Sequence, residues 1–226
     1  MSKQKTVVIT GASKGIGKAL AERLLSEGYK VFGTSRSEHI EAINHPNFTA
    51  IQLDISSAIS ISTAQKTIAE MIDGVDILIN NAGIGPDLGY EVPDPETFQE
   101  TFKVNVEGVV FFTEPLLELM NSDGKILNIS SKMGSVEYLR SAGSIAYRMS
   151  KSALNMYTKT LALRLQGVSK VAAIHPGWVK TTIMLSNIEL APLTPEDSAE
   201  RIYKFLISEF ETGSYYDAED NTLLPW

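Results

Sequence analysis

Apolar residues recur along this chain in two alternating rhythms. Short runs such as Val7-Val8-Ile9 and Ile77-Leu78-Ile79 are apolar without interruption, the pattern of strands covered on both faces. Longer stretches carry apolar residues three and four positions apart, as Leu154, Tyr157, Leu161 and Leu165 do, the pattern of a helix with one buried face. These rhythms predict strands over 6–10, 29–34, 48–53, 75–80, 125–130 and 168–174, and a late strand over 214–218. They predict helices over 15–26, 60–72, 95–120, 147–166 and 195–209. Strand–helix alternation at this spacing means βαβ units. The expected fold is α/β: a doubly wound parallel sheet of about seven strands with helices on both faces. No linker, repeat or low-complexity tract interrupts 1–226, so one domain is expected. The predicted helix 95–120 contains Pro115, which should kink it. It also carries more apolar surface than one core-facing stripe needs. Deep packing within the domain and burial in a subunit interface explain that surplus equally well.

Composition narrows the function classes. The chain has 226 residues, a 43% hydrophobic fraction and a net charge of −7, ordinary for one globular domain with a real core. Its basic residues are scattered, which argues against nucleic acid as a partner. With no cysteine there is neither a disulfide framework nor a thiolate nucleophile. His39, His45 and His175 are not at metal-ligand spacing, so no metal is expected. Met1 to Lys5 run into the first strand without an apolar stretch, so no secretory signal is expected. No apolar run reaches the roughly 18 residues of a membrane span. The expected location is the cytoplasm.

The first strand ends in Thr10-Gly11-Ala12-Ser13-Lys14-Gly15-Ile16-Gly17, which opens the first helix. Gly11 permits a sharp turn, and Gly15 and Gly17 permit close backbone approach. Helix N-terminal amides then face an anion, as a pyrophosphate would require. A strand–helix turn can need glycine for geometry alone, but three of them in this setting favour dinucleotide binding. NAD-binding domains often place an acid about 20 residues further on to hold a ribose 2′-hydroxyl. Here the second strand ends Gly33-Thr34-Ser35-Arg36-Ser37. A guanidinium binds a 2′-phosphate where a carboxylate would repel it, and Lys14 adds a second cation. NADP(H) is therefore expected over NAD(H); Glu38 keeps the alternative open.

Tyr147 precedes Lys151 by one helical turn, so phenol and ammonium share a face. A nearby cation should lower the phenol pKa from about 10 and make it a proton donor or acceptor. A lone Tyr-x-x-x-Lys is equally two residues on a half-exposed face. Its weight comes from the rest of the chain.

With both ends in view, the chain resembles the short-chain dehydrogenase/reductase family, whose fold is of Rossmann type. The family's T-G-x-x-x-G-x-G matches Thr10 to Gly17, its N-N-A-G matches Asn80-Asn81-Ala82-Gly83, its serine matches Ser131, its Y-x-x-x-K matches Tyr147 and Lys151, and its P-G turn matches Pro176-Gly177. The stretches YRMSKSALN and HPGWVKT, with Leu-Pro-Trp, are similar to the short carbonyl-reductase branch that includes Sniffer and C-factor-like proteins. The resemblance implies that Tyr147 protonates a carbonyl oxygen, that Ser131 orients that oxygen, and that Lys151 binds ribose hydroxyls and acidifies the phenol. It implies that Asn105 supports a water-linked proton path behind the lysine, where a polar group bonding local helix backbone is the alternative. It implies cofactor contacts at Gly11, Ser13, Lys14, Gly15, Ile16, Gly17, Arg36, Asp54, Ile55, Asn81, Ala82, Gly83, Pro176, Gly177, Val179 and Thr181, as well as Tyr147 and Lys151. Asp54 would contact the adenine, with an ordinary helix N-cap region as its alternative. A homodimer or homotetramer is implied.

The chain departs from the family in two places. Ser131 and Tyr147 are separated by a longer insert than in many members, which should form a loop beside the pocket and leaves Ser130 as a rival to Ser131. The segment between Thr181 and Pro195 is short for a substrate lid, so the pocket should be open. Ile84, Met133, Tyr138, Trp178, Met184 and Leu185 are the expected substrate wall, mostly apolar, though ordinary core would use the same residue types. The leading reading is an NADPH-dependent reductase of a small, uncharged aldehyde or ketone. The alternatives are an NAD-dependent alcohol dehydrogenase and a non-catalytic NADP(H)-binding regulatory protein.

Overall fold

The uninterrupted apolar runs become the centre of one sheet. In the computed structural model, which describes residues 4–226, β1 (Thr6–Ile9), β2 (Lys30–Ser35), β3 (Phe48–Gln52), β4 (Val75–Asn80), β5 (Met120–Ile129), β6 (Ser169–His175), β7 (Ser214–Asp217) and β8 (Thr222–Leu223) lie in the order β3-β2-β1-β4-β5-β6-β7-β8. Every pairing is parallel except β7 with β8, which is antiparallel. The eighth strand is an addition to the seven expected: two exposed residues leave no hydrophobic pattern to read. Met1–Lys3, on which part of the reading of the chain's start rests, lie outside the described residues. No helix among the described residues is long and apolar enough to cross a membrane.

Helices α1 (Gly15–Ser26) and α7 (Pro195–Ile207) cover one face of the sheet. Helices α2 (Ala58–Met71), α3 (Pro95–Phe102), α4 (Val109–Leu116) and α5 (Ile145–Arg164) belong to the other side, where α2, α4 and α5 close the second core around Phe32, Leu78 and Ile126. A one-turn helix α6 (Asn187–Leu190) lies between β6 and α7. The chain steps outward from β1 to β3 and returns to place β4 on the other side of β1. That reversal opens a crevice at the carboxyl ends of β1 and β4, the usual ligand position in such sheets.

The predicted helix 95–120 is not one kinked helix. It is α3, a π-helical turn over Lys103–Gly108, and α4; Met120 already belongs to β5. The interruption falls at Asn105, not at Pro115. Proline deprives the carbonyl four residues earlier of its donor. Here Gln65 of α2 supplies one: its Nε2 donates to Phe111 O at 2.7 Å and to Phe112 O at 3.0 Å. A neighbouring side chain thus neutralises the local signal that predicted the kink.

Candidate active site

The crevice is a cleft of about 1530 Å³ bounded by the turn after β1, the ends of β2, β4 and β5, the start of α5 and the segment after β6. At one end stands the glycine turn. Gly11 and Gly15 adopt φ of +70° and +56°, conformations that favour glycine. Gly17 has a different reason. A Cβ there would lie 2.2 Å from Gly11 O and 2.5 Å from Asn81 Nδ2, so only glycine lets α1 close against the turn. The turn is tied to β4 by Thr10 Oγ1, which accepts from Asn81 N at 2.9 Å and Ala82 N at 3.0 Å. Asn81 Nδ2 donates back to Thr10 O at 2.9 Å and to Gly11 O at 3.1 Å.

Helix α1 has Lys14 as its N-cap residue, no side-chain cap and no acid in its first turn. Its leading amides are therefore left for a ligand, and an anion suits them. Ser13, Lys14, Gly15 and Ile16 line the cleft there, with Arg36, Asp54 and Ile55 beyond them; Glu38 does not. Arg36 has no ion-pair partner among the described residues. Asp54 accepts from Ser56 N at 3.0 Å and Ser56 Oγ at 2.7 Å, which hold its carboxyl below the usual range. It is not the cap of α2; that is Ser57. An uncapped helix start, two cations and a glycine-lined turn fit the phosphates of a dinucleotide.

Ser131, Tyr147 and Lys151 meet at the middle of the cleft. Successive residues at the end of a strand point opposite ways, and this separates the two serines. Ser130 Oγ is buried and donates to Asn155 Oδ1 at 2.6 Å. Ser131 lines the cleft with Tyr147 and acts to lower the pKa of its phenol. Ser131 Oγ accepts from Met133 N at 3.2 Å, which leaves its own proton to donate. Lys151 Nζ donates to Ile129 O at 2.8 Å and lies 5.7 Å from the centre of the Tyr147 ring.

The electrostatics of this pair differ from the sequence expectation. Lys151 does not acidify the phenol. Burial pushes Tyr147 up to about 12, with Ser131 opposing and Asp87 adding to the rise. Burial likewise brings Lys151 down to about 8. Taking both groups out of water disfavours each charged form, and depth of burial is not written in a four-residue spacing. His175, which also lines the cleft, is held by burial down to about 4 and is neutral at physiological pH.

Asn105 lies behind the cleft lining, fully buried in the π-helical turn. Its side chain does not serve its own helix. Oδ1 accepts from Ile84 N at 2.8 Å, and Nδ2 donates to Ile84 O at 2.8 Å and Ser150 Oγ at 3.1 Å. It thereby pins the loop after Asn81-Ala82-Gly83 against α5. A Cβ on Gly83 would sit 3.2 Å from Asn105 Oδ1 and 3.5 Å from Lys151 Nζ, so all three share one corner.

On the far side, Pro176, Gly177, Val179 and Thr181 line the cleft with Ile84, Met133, Tyr138, Trp178 and Met184. Leu185 does not belong there: it is 76% exposed and outside the lining. In the turn that precedes α6, Met184 takes the inward place, its Cε 3.3 Å from where a Gly89 Cβ would be, and the next residue faces solvent. The insert after Ser131 forms the expected loop, contributing Tyr138 and Arg140 to the mouth of the cleft. Two residues outside the sequence reading support the centre. Tyr215 of β7 donates its hydroxyl to Ser131 O. Asp87, in the loop after β4, accepts from the first amides of α5. Nothing local marks Tyr215; an acid four residues beyond Asn80-Asn81-Ala82-Gly83, in an otherwise apolar and glycine-rich loop, was a readable signal.

This geometry has counterparts. The family model for short chain dehydrogenases matches residues 5–191. The 3-oxoacyl-(acyl-carrier-protein) reductase FabG of Aquifex aeolicus is 34% identical over 238 residues, covering 95% of this chain and 94% of that protein. Among solved structures, the carbonyl reductase Sniffer of D. melanogaster superposes with a TM-score of 0.88 at 27% identity, covering 99% of this chain and 100% of that one. The NADPH-bound carbonyl reductase from chicken fatty liver gives the same TM-score and identity, covering 99% and 94%. The chain belongs to the short-chain dehydrogenase family.

Proposed function

We propose that this protein is an NADPH-dependent reductase of small, uncharged aldehydes or ketones, working as one domain over 1–226. The observation that carries the reading is the burial of Tyr147 with Ser131 and Lys151 in the wall of one cleft. When bound, the reduced nicotinamide supplies a hydride to the carbonyl carbon. Tyr147 donates its proton to the carbonyl oxygen, and Ser131 donates a hydrogen bond that fixes that oxygen. At neutral pH this phenol is protonated, as donation to a carbonyl oxygen requires. Lys151 would hold ribose hydroxyls, and Asn105 keeps the backbone beside it in place. Gly11, Ser13, Gly15 and Ile16 would cradle the pyrophosphate. Arg36 and Lys14 favour a 2′-phosphate, which no acid in the cleft wall at the end of β2 opposes.

The substrate side supports an uncharged carbonyl. Lys132, next to Ser131, is already paired with Asp217 at 2.6 Å and Asp220 at 3.2 Å. Arg148 donates to Gly143 O at 2.8 Å and Ser141 Oγ at 2.6 Å. Arg140 lies over the Tyr138 ring at 4.6 Å. The exposed apolar face of Phe111, Met149, Met156 and Leu163 on α4 and α5 suits pairing with a second copy as a dimer or tetramer. The test is a panel of aromatic aldehydes, ketones and quinones with NADPH and with NADH. Reduction with NADPH preferred is expected. Tyr147→Phe should lower kcat by about 10²–10⁴ while retaining cofactor, and Arg36→Asp should shift preference toward NADH. A wild type that binds NADPH and reduces nothing would overturn the reading in favour of a cofactor-binding regulator.

A further inference from the structure

Helix α5 begins without a cap of its own. Ser144, its N-cap residue, stands in the left-handed region at φ +61° and its side chain caps nothing. Its Oγ accepts instead from Gly89 N at 3.1 Å. The first-turn amides still have acceptors. Asp87 Oδ2 accepts from Ala146 N at 2.7 Å, and Oδ1 and Oδ2 lie 3.1 and 3.3 Å from Tyr147 N. The cap that a helix normally takes from its own flank comes here from a residue 60 positions earlier.

Three features set this cap apart from an ordinary one. Asp87 is 2% exposed. It has no ion-pair partner among the described residues. It does not line the cleft. Burying a carboxylate without a countercharge is costly; the amides and the positive end of a helix of 20 residues are what hold it. A neutral serine or asparagine would avoid that cost but bring one acceptor oxygen in place of the two that Asp87 turns on these amides. One of the two amides it holds belongs to Tyr147 itself.

We propose that Asp87 is a positioning residue for Tyr147: reaching across from the loop after β4, it anchors the backbone of the tyrosine that protonates the substrate and so fixes where the phenol stands. The proposal rests on the reductase reading above. The carboxylate also opposes ionisation of the phenol. The other titratable groups facing Tyr147 are Lys151, one turn along the same helix, and Tyr215 from β7. Reduction requires the protonated phenol, so activity falls as pH rises through its pKa. Removing a nearby negative charge favours phenolate and moves that fall to lower pH.

The experiment compares the full-length wild type with Asp87→Asn, which keeps one acceptor oxygen without the charge, and with Asp87→Ala. The probes are NADPH and 4-nitrobenzaldehyde, with Tyr147→Phe as control. Asp87→Asn should lower kcat about tenfold and Asp87→Ala about a hundredfold, with NADPH Kd within about twofold of wild type. The alkaline limb of kcat/KM should move to lower pH in Asp87→Asn. A folded Asp87→Asn with wild-type kcat and an unmoved limb overturns the proposal, as does a variant that loses only thermal stability. If Asp87→Ala does not fold, Asp87→Asn decides alone. Tyrosine labelled with carbon-13 at Cζ gives a readout independent of turnover. The Tyr147 resonance, identified by its loss in Tyr147→Phe, should begin to titrate at lower pH in Asp87→Asn. An unchanged onset overturns the proposal even if wild type reduces none of the carbonyl panel, the result that would overturn the reductase reading separately.

Discussion

The two ends of the cleft are built from different materials. The glycine end is backbone: buried strands, a turn with two left-handed glycines, and hydrogen bonds through Thr10 and Asn81. The opposite end is side chain: Trp178 and Leu190 sit about half-exposed or more on a turn and a one-turn helix. A backbone cradle accepts one ligand shape and tolerates no added atom. Exposed side chains on loops can be exchanged with little effect on the fold. The ligand common to a family belongs at the first kind of end and the variable one at the second.

Substitutions can break or sharpen this contrast. Gly17→Ala should do most. Its Cβ would meet Gly11 O at 2.2 Å, so the turn must open. Stability should fall by about 1–3 kcal/mol and NADPH affinity at least about tenfold, read by thermal melts and fluorescence titration. Lys151→Met, at the junction, should uncouple stability from activity. Its amine has a folded pKa of about 8 against 10.5, so the folded state binds fewer protons between those values than the unfolded one. Wild-type stability should therefore rise through that window, while the variant lacks the rise. At pH 7 the variant should be more stable by on the order of 1 kcal/mol, a Tm gain of about 2–4 °C, and inactive. Smallest are changes at the side-chain end. Met184→Ala should raise substrate KM about fivefold, the equivalent of about 1 kcal/mol of apolar contact. Leu185→Ala should leave it unchanged. If Leu185→Ala moves KM as far as Met184→Ala, the lining described for this end is wrong.

Much of the cofactor end was legible because its requirements are local. A turn that must admit α1 at Gly17 excludes every other residue, and that exclusion is visible in the string. Ser131, Tyr147 and Lys151 were legible through their types and order along the chain. The apparent kink at Pro115 was not, because the donor that offsets it comes from Gln65 on another helix. Leu185 was misplaced because adjacent residues in a turn cannot both face inward. Strand β8 was too short to show a period.

The chain by itself determined the alternation of strands and helices, the glycine turn after β1, the cation at the end of β2 and the types and order of the groups proposed to react. Each is set by a residue's own stereochemistry or charge. Only the folded structure decided the protonation of the central pair, since burial from all sides, not a neighbour four residues away, sets the pKa of Tyr147 and Lys151. It alone brought Asp87 and Tyr215 to that pair, because the contacts that hold a reacting group still join segments far apart in sequence.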